Sequence, residues 1–179
     1  MTLYDQIQES IAFLRQKITS SPKVGIICGT GMGTLGDRPE GLVKIPYDQI
    51  PHFPVSTVES HHGNLCFGRL AGKEVVVMQG RFHRYEGYNL EQVTFPVRVM
   101  KALGVETVII MNAVGSVNPL IPVGSLMIVT DHINMMGDNP LIGPNDDDLG
   151  PRFVDMSEPY DRDLLALAEE VALDNKIRT

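Results

Sequence analysis

Along the 179-residue chain, apolar positions switch between two repeats, and the switches mark out the elements. Ile7, Ile11, Leu14 and Ile18 recur at the spacing of one helix face, with Thr2 where an N-cap hydroxyl is useful, so a helix is expected over 3–19. After Ser20-Ser21-Pro22 comes Val24-Gly25-Ile26-Ile27-Cys28, an almost unbroken apolar run of strand length, the pattern of a strand covered on both faces. Two further runs, 74–78 and 107–111, end at Gln79-Gly80 and at Asn112-Ala113. Between them Leu90, Val93, Val97 and Met100 return to helical spacing; Gly104 is placed to close that helix, and Pro96 predicts a kink or a late start. Strand, crossover helix and strand together predict a βαβ unit and a largely parallel sheet. Residues 125–131 read as another strand, and 162–173 as a helix with Leu164, Leu167, Ala168 and Val171 on one face. Between these, 137–151 is rich in Gly, Pro, Asn and Asp, too long and irregular for a simple turn and of the kind that carries function. No repeat or low-complexity segment interrupts this order, so 1–179 is read as a single α/β domain. Its last helix has no closing strand behind it, which reads as a missing C-terminal part.

Composition narrows the class. Hydrophobic residues at 43% and charged residues at 21% are ordinary for a globular domain and exclude disordered and collagen-like chains. A net charge of −7 argues against a nucleic-acid partner, which needs clustered Lys and Arg, while leaving room for a small anion bound locally. Apolar stretches such as 105–111 fall far short of the roughly 20 residues that span a bilayer. The first residues, Met1-Thr2-Leu3-Tyr4-Asp5-Gln6, lack the pattern of a secretory leader, so a cytoplasmic protein with no membrane association is expected. Cys28 and Cys66 have no CxxC spacing and read as free thiols of a reducing compartment, Cys28 as a buried one.

Three loops that follow apolar runs could carry chemistry. Gly29-Thr30-Gly31-Met32-Gly33 lets the backbone curl so that N–H groups converge on an anion, with the Thr30 hydroxyl as a further donor. A dinucleotide fingerprint through Gly31, Gly33 and Gly36 would need a helix opening there, and Asp37-Arg38-Pro39-Glu40-Gly41 leaves no room for one. In Gln79-Gly80-Arg81-Phe82-His83-Arg84-Tyr85-Glu86-Gly87-Tyr88, Arg81 offers a two-pronged fork for phosphate oxygens, and His83 can donate a hydrogen bond or carry a proton. At i and i+2 on an extended segment the two side chains project to one side and could share one anion. In Met111-Asn112-Ala113-Val114-Gly115-Ser116, small residues leave backbone N–H groups open to a ligand. Ligands of open α/β sheets gather outside the carboxyl ends of the strands, so convergence of these loops in one crevice would build an anion site. His61-His62 fits no recognised metal spacing, and no metal is expected; His61, ahead of Gly63, could instead line the anion site. Asp146-Asp147-Asp148 lacks a calcium-loop pattern and reads as a solvated turn; His52 and His132 read as structural.

Taken together and in order, these loops resemble the trimeric purine nucleoside phosphorylases. The likeness also rests on Phe95-Pro96-Val97-Arg98-Val99, Asp131-His132-Ile133-Asn134 and Gly143-Pro144-Asn145-Asp146, and runs across nearly the whole chain. It implies a three-layer αβα sandwich around a central mixed, largely parallel sheet, the purine/uridine phosphorylase fold. It further implies a homotrimer that cleaves nucleosides such as inosine and guanosine with inorganic phosphate as co-substrate and no cofactor, giving ribose 1-phosphate and free base in purine salvage. Carried over residue by residue, Thr30, His61, Arg81, His83 and the Ala113 N–H would hold phosphate, His83 would be catalytic, and Tyr85 would touch the ribose. Phe153 would cover the neighbouring subunit's nucleoside. The family's acid side chain and Asn for the departing base, with a further phosphate-binding Ser and a ribose-binding His, come from later in the chain, so this segment alone is expected to be inactive. Thr30 stands where the family usually has Ser, and Ser116 where it usually has a second Gly. Two other readings stay open: a methylthioadenosine phosphorylase, disfavoured by Arg81-Phe82-His83-Arg84-Tyr85-Glu86-Gly87, and a non-catalytic remnant that binds anions or oligomerises.

Overall fold

A computed structural model describes residues 1–55 and 63–179. Contacts divide the chain into two compact units, Met1–Ala113 with Pro140–Gly150, and Val114–Asn139 with Pro151–Thr179.

The first unit is built on five strands, β1 (Val24–Ile27), β2 (Glu40–Pro46), β3 (Asn64–Leu70), β4 (Lys73–Gln79) and β5 (Thr107–Ile110), in the order β2-β3-β4-β1-β5. The sheet is mixed: β4-β1-β5 is parallel, with Ile27 opposite both Met78 and Ile110, whereas β2-β3 and β3-β4 are antiparallel. Helix α1 (Leu3–Lys17) opens on a reciprocal cap, Thr2 Oγ accepting from the Asp5 N–H while the Asp5 carboxylate accepts from the Thr2 N–H. Asn89 and Gln92 cap α2 (Leu90–Leu103) in the same way. Gly104 ends α2 at φ 107°, a left-handed conformation that suits glycine. The helix neither starts late nor stops at Pro96, because the cap at Asn89 fixes its start.

Strand alternation sorts the core. Ile27, Ile45, Leu65, Phe67, Val76 and Met78 point to one face and pack with Ile7 and Leu14 of α1 and Phe95, Val99 and Leu103 of α2. Ile26, Cys28, Cys66, Val75 and Val77 point to the other, with Leu35 packed on them. A group of rings, Tyr47, Phe53, Phe82 and Phe95, closes one end of the first core at centroid separations of 5.0–6.5 Å. Leu149 joins this core from the 140–150 segment.

Three features depart from the sequence reading. Strands β2 and β3, which apolar runs alone did not announce, pair with each other, and β3 joins β4 through a two-residue hairpin in which Ala71 (φ 48°) and Gly72 (φ 75°) are both left-handed, the backbone that matches strand twist. The run at 107–111 does form a strand, but as the sheet's edge, with Ile110 59% exposed rather than covered on both faces. The strand expected at 125–131 is absent, since a strand needs a paired neighbour and none of the described strands pairs there.

In the second unit, Asp161 caps α3 (Arg162–Asp174) by accepting from the Leu164 N–H, and Tyr160 lies against the His132 ring. Its apolar stripe, Leu164, Leu167 and Val171, stays half exposed. No helix among the described residues is long and apolar enough to cross a membrane.

Candidate functional site

Parallel pairing of β4, β1 and β5 brings three strand ends, and the loops that leave them, to one edge of the sheet. The first loop is a tight turn closed by the Met32 N–H donating to the Gly29 carbonyl at 3.1 Å, with Thr30 and Gly31 at its centre. Gly31 has φ 82°, so only a residue without Cβ takes this place in a turn of that type without strain. Thr30 is exposed on the turn.

The β5 exit passes directly over this turn. A Cβ at Gly29 would stand 2.5 Å from the Met111 carbonyl oxygen and 2.8 Å from Asn112 Cα, so glycine is what allows the two backbones to meet. Arg81, leaving β4, donates from Nη1 to that same Met111 carbonyl at 3.1 Å. One carbonyl is therefore the meeting point of all three loops, with Asn112 and Ala113 following it in the chain. The fixed charge there is the Arg81 guanidinium, with the exposed backbone of Ala113 and the Thr30 hydroxyl as further donors.

His83 lies on the same side as Arg81, its Nε2 3.4 Å from Arg81 Nε. Glu86 fixes this ring: its Oε1 is 2.7 Å from His83 Nδ1 and accepts from the His83 N–H at 2.8 Å, and its side chain is almost wholly buried. A carboxylate at Nδ1 selects the tautomer protonated there and turns the Nε2 lone pair toward Arg81 and the rim. Tyr85 stacks on a face of the ring, 4.6 Å between centroids and 17° between planes, and is itself exposed. Glu86 has no role in the sequence reading; the signal that could have found it is its spacing three residues after His83 across a short turn, Arg84–Glu86.

Of the remaining expected site residues, His61 lies outside the described residues. Phe153 belongs to the second unit, where it is exposed. His52 pairs through Nε2 with Glu9 at 2.6 Å, away from the three loops in sequence and contacts. Among the described residues no group of three His, Cys, Asp or Glu side chains could hold a metal ion. Burial pushes the Cys66 thiol up to about 11, and also raises that of Cys28. Both are thiols at neutral pH, buried in the sheet.

A family model described as the phosphorylase superfamily matches residues 23–179. A curated purine nucleoside phosphorylase 1 of Bacillus subtilis is 58% identical over 173 residues, 97% of this chain and 64% of that protein. The purine nucleoside phosphorylase of Rattus norvegicus is 48% identical over 90% of this chain and 57% of its own length. Among solved structures, Schistosoma mansoni purine nucleoside phosphorylase in complex with inosine superposes with a TM-score of 0.92 at 42% identity, over 99% of this chain and 63% of that one. A purine nucleoside phosphorylase in complex with ribose-1-phosphate gives 0.91 at 44% identity. The chain thus spans about 64% of the length of the first of these relatives.

Proposed function

This chain belongs to the phosphorylase superfamily, and we propose that it supplies the phosphate- and ribose-facing part of a purine nucleoside phosphorylase site. The observation that carries the reading is the Met111 carbonyl, where the Gly29 turn, Arg81 and the β5 exit meet. In the proposed reaction phosphate lies on this rim, held by Thr30, Arg81, the Ala113 N–H and His83, with His61 beside it. A phosphate oxygen attacks the anomeric carbon of inosine or guanosine as the bond to the purine nitrogen breaks, leaving ribose 1-phosphate and free base. As that bond lengthens the sugar takes on oxocarbenium character, and an anion fixed beneath it lowers the barrier because its charge is already in place. Glu86 holds His83 ready to exchange a proton with the phosphate. Tyr85 borders the ribose, and Phe153 reaches a neighbouring subunit of a homotrimer. The reaction calls for no cofactor, and the enzyme works in the cytoplasm as one phosphorylase domain. The resemblance to purine nucleoside phosphorylases puts the groups that stabilise the departing purine outside these residues, and on that reading the 179-residue segment binds phosphate without cleaving inosine.

Calorimetric titration of the chain with inorganic phosphate tests the reading. Losing the guanidinium in Arg81→Ala removes charge-assisted hydrogen bonds worth about 1.5–3 kcal/mol, or roughly 10- to 150-fold in affinity. Unchanged phosphate affinity in Arg81→Ala, or hypoxanthine released from inosine by this segment alone, would contradict it.

A further inference from the structure

Beneath the glycine-rich turn lies a buried amide that the reaction does not touch. Gln79, the last residue of β4, is 1% exposed, and its side chain points into the space under the 33–37 turn. Its Nε2 donates to the Gly33 carbonyl at 2.9 Å and to the Asp37 carboxylate at 3.0 Å, which uses both amide hydrogens. Its Oε1 accepts from Asn64 Nδ2 at 3.2 Å and faces the Cys66 thiol at 3.9 Å. Asp37 in turn holds Lys44 of β2 at 2.5 Å. The amide orientation follows from these partners, because only a donor suits a carbonyl and a carboxylate together.

Room for that side chain comes from Gly36. A Cβ there would lie 3.0 Å from Cβ, Cγ and Cδ of Gln79. Gly36 is buried and its φ is not left-handed, so close packing, not backbone conformation, accounts for glycine at this position.

Both ends of the Thr30 turn are therefore tied to the last two residues of β4. At its start, the Cys28 N–H donates to the Met78 carbonyl at 3.1 Å; at its finish, Gly33 is held by Gln79. Two residues further on, the same strand delivers Arg81. We propose that Gln79 is a positioning residue: it fixes the height of the Thr30 turn relative to Arg81, so that both reach one phosphate. The link to phosphate rests on the function proposed above; the clamp on the turn does not.

The test compares Gln79→Met, which keeps length and loses all four polar contacts, with Gly36→Ala, which pushes on the same side chain from the loop. Amide hydrogen exchange is read at Met32, Leu35 and Arg38, whose N–H groups close the turn and the short helix after it, and at Val75 to Val77 in β4 as reference. Inorganic phosphate is titrated into each protein. Either variant should speed exchange at the three loop amides by about tenfold with the β4 amides unchanged, and weaken phosphate binding by roughly tenfold, about 1.4 kcal/mol. Exchange that rises equally in loop and strand would make Gln79 a general stabiliser and overturn the proposal, as would unchanged loop exchange. Should Gln79→Met fail to fold, Gly36→Ala decides by the same readings. If the parent chain binds no phosphate while loop exchange responds as expected, the clamp stands and the functional reading fails.

Discussion

Replacing Gly29 by Ala tests whether the strand exits really meet. The new methyl group would start 2.5 Å from the Met111 carbonyl oxygen and 2.8 Å from Asn112 Cα, distances that neither atom can relieve by rotating a side chain, since both are backbone. Overpacking of this kind costs about 1–3 kcal/mol, and rigid neighbours place it near the upper end. Against this, Gly→Ala at a position without left-handed φ gains about 0.4–1 kcal/mol from the unfolded chain. The net is a loss of about 2 kcal/mol, or roughly 4–8 °C in melting temperature at this size. Two glycines serve as controls in the same calorimetric scan. Gly115 has open space and no left-handed φ, so Gly115→Ala should change stability by no more than about 0.5 kcal/mol. At Gly25 the nearest atom is the Met100 sulfur at 2.9 Å, the far end of a flexible side chain, so the loss should fall between the two. A Gly29→Ala protein that melts with Gly115→Ala would show that the β5 exit does not cross the turn.

Glu86→Gln should leave the His83 ring without its carboxylate, lower stability by about 1–3 kcal/mol, and shift the ring's nitrogen NMR signals away from a pure Nδ1-protonated tautomer; an unchanged spectrum would refute Glu86 as the orienting group. Gly31→Ala meets no atoms but must hold φ 82°, costing about 1–2 kcal/mol; a smaller loss in thermal unfolding would mean the turn can adopt another type. Burial raises the folded-state pKa of Cys66 from 9.0 to about 11, so the folded chain keeps a proton that the unfolded chain gives up. That contribution is complete below pH 9 and fades as pH rises from 9 towards 11; in urea titrations Cys66→Ala should flatten this decline, leaving the part due to Cys28 and Tyr47, which burial also raises.

Residues that the chain buries on both faces were the most legible. The runs ending at Cys28 and Gln79 became the adjacent central strands β1 and β4, and helical spacing located α1 and α2 because each packs one stripe on the sheet. Legibility failed where a partner decides the outcome. β3 gains its strand character from pairing with β4 through the Ala71-Gly72 hairpin, a cue of backbone conformation and not of hydrophobicity, and β2 gains its own from pairing with β3. The 125–131 run has the composition of a strand, but none of the described strands pairs with it. At the rim the sequence pointed to Thr30, Arg81, His83 and Ala113 because glycines, a guanidinium and an imidazole after strand ends have chemistry of their own. Glu86 and Gln79 passed unnoticed, since a carboxylate or amide that orients another group is defined by distances across a fold, which spacing does not show.

The central claim is that one phosphate bridges all three exits. Titrating inorganic phosphate into ¹⁵N-labelled chain and following the Thr30 and Ala113 amides together with Arg81 Nε measures this directly. With one phosphate on the rim the three signals move along one saturation curve, and Arg81→Ala flattens the other two. Three unrelated curves, or no movement at Thr30 and Ala113 while Arg81 responds, would contradict it.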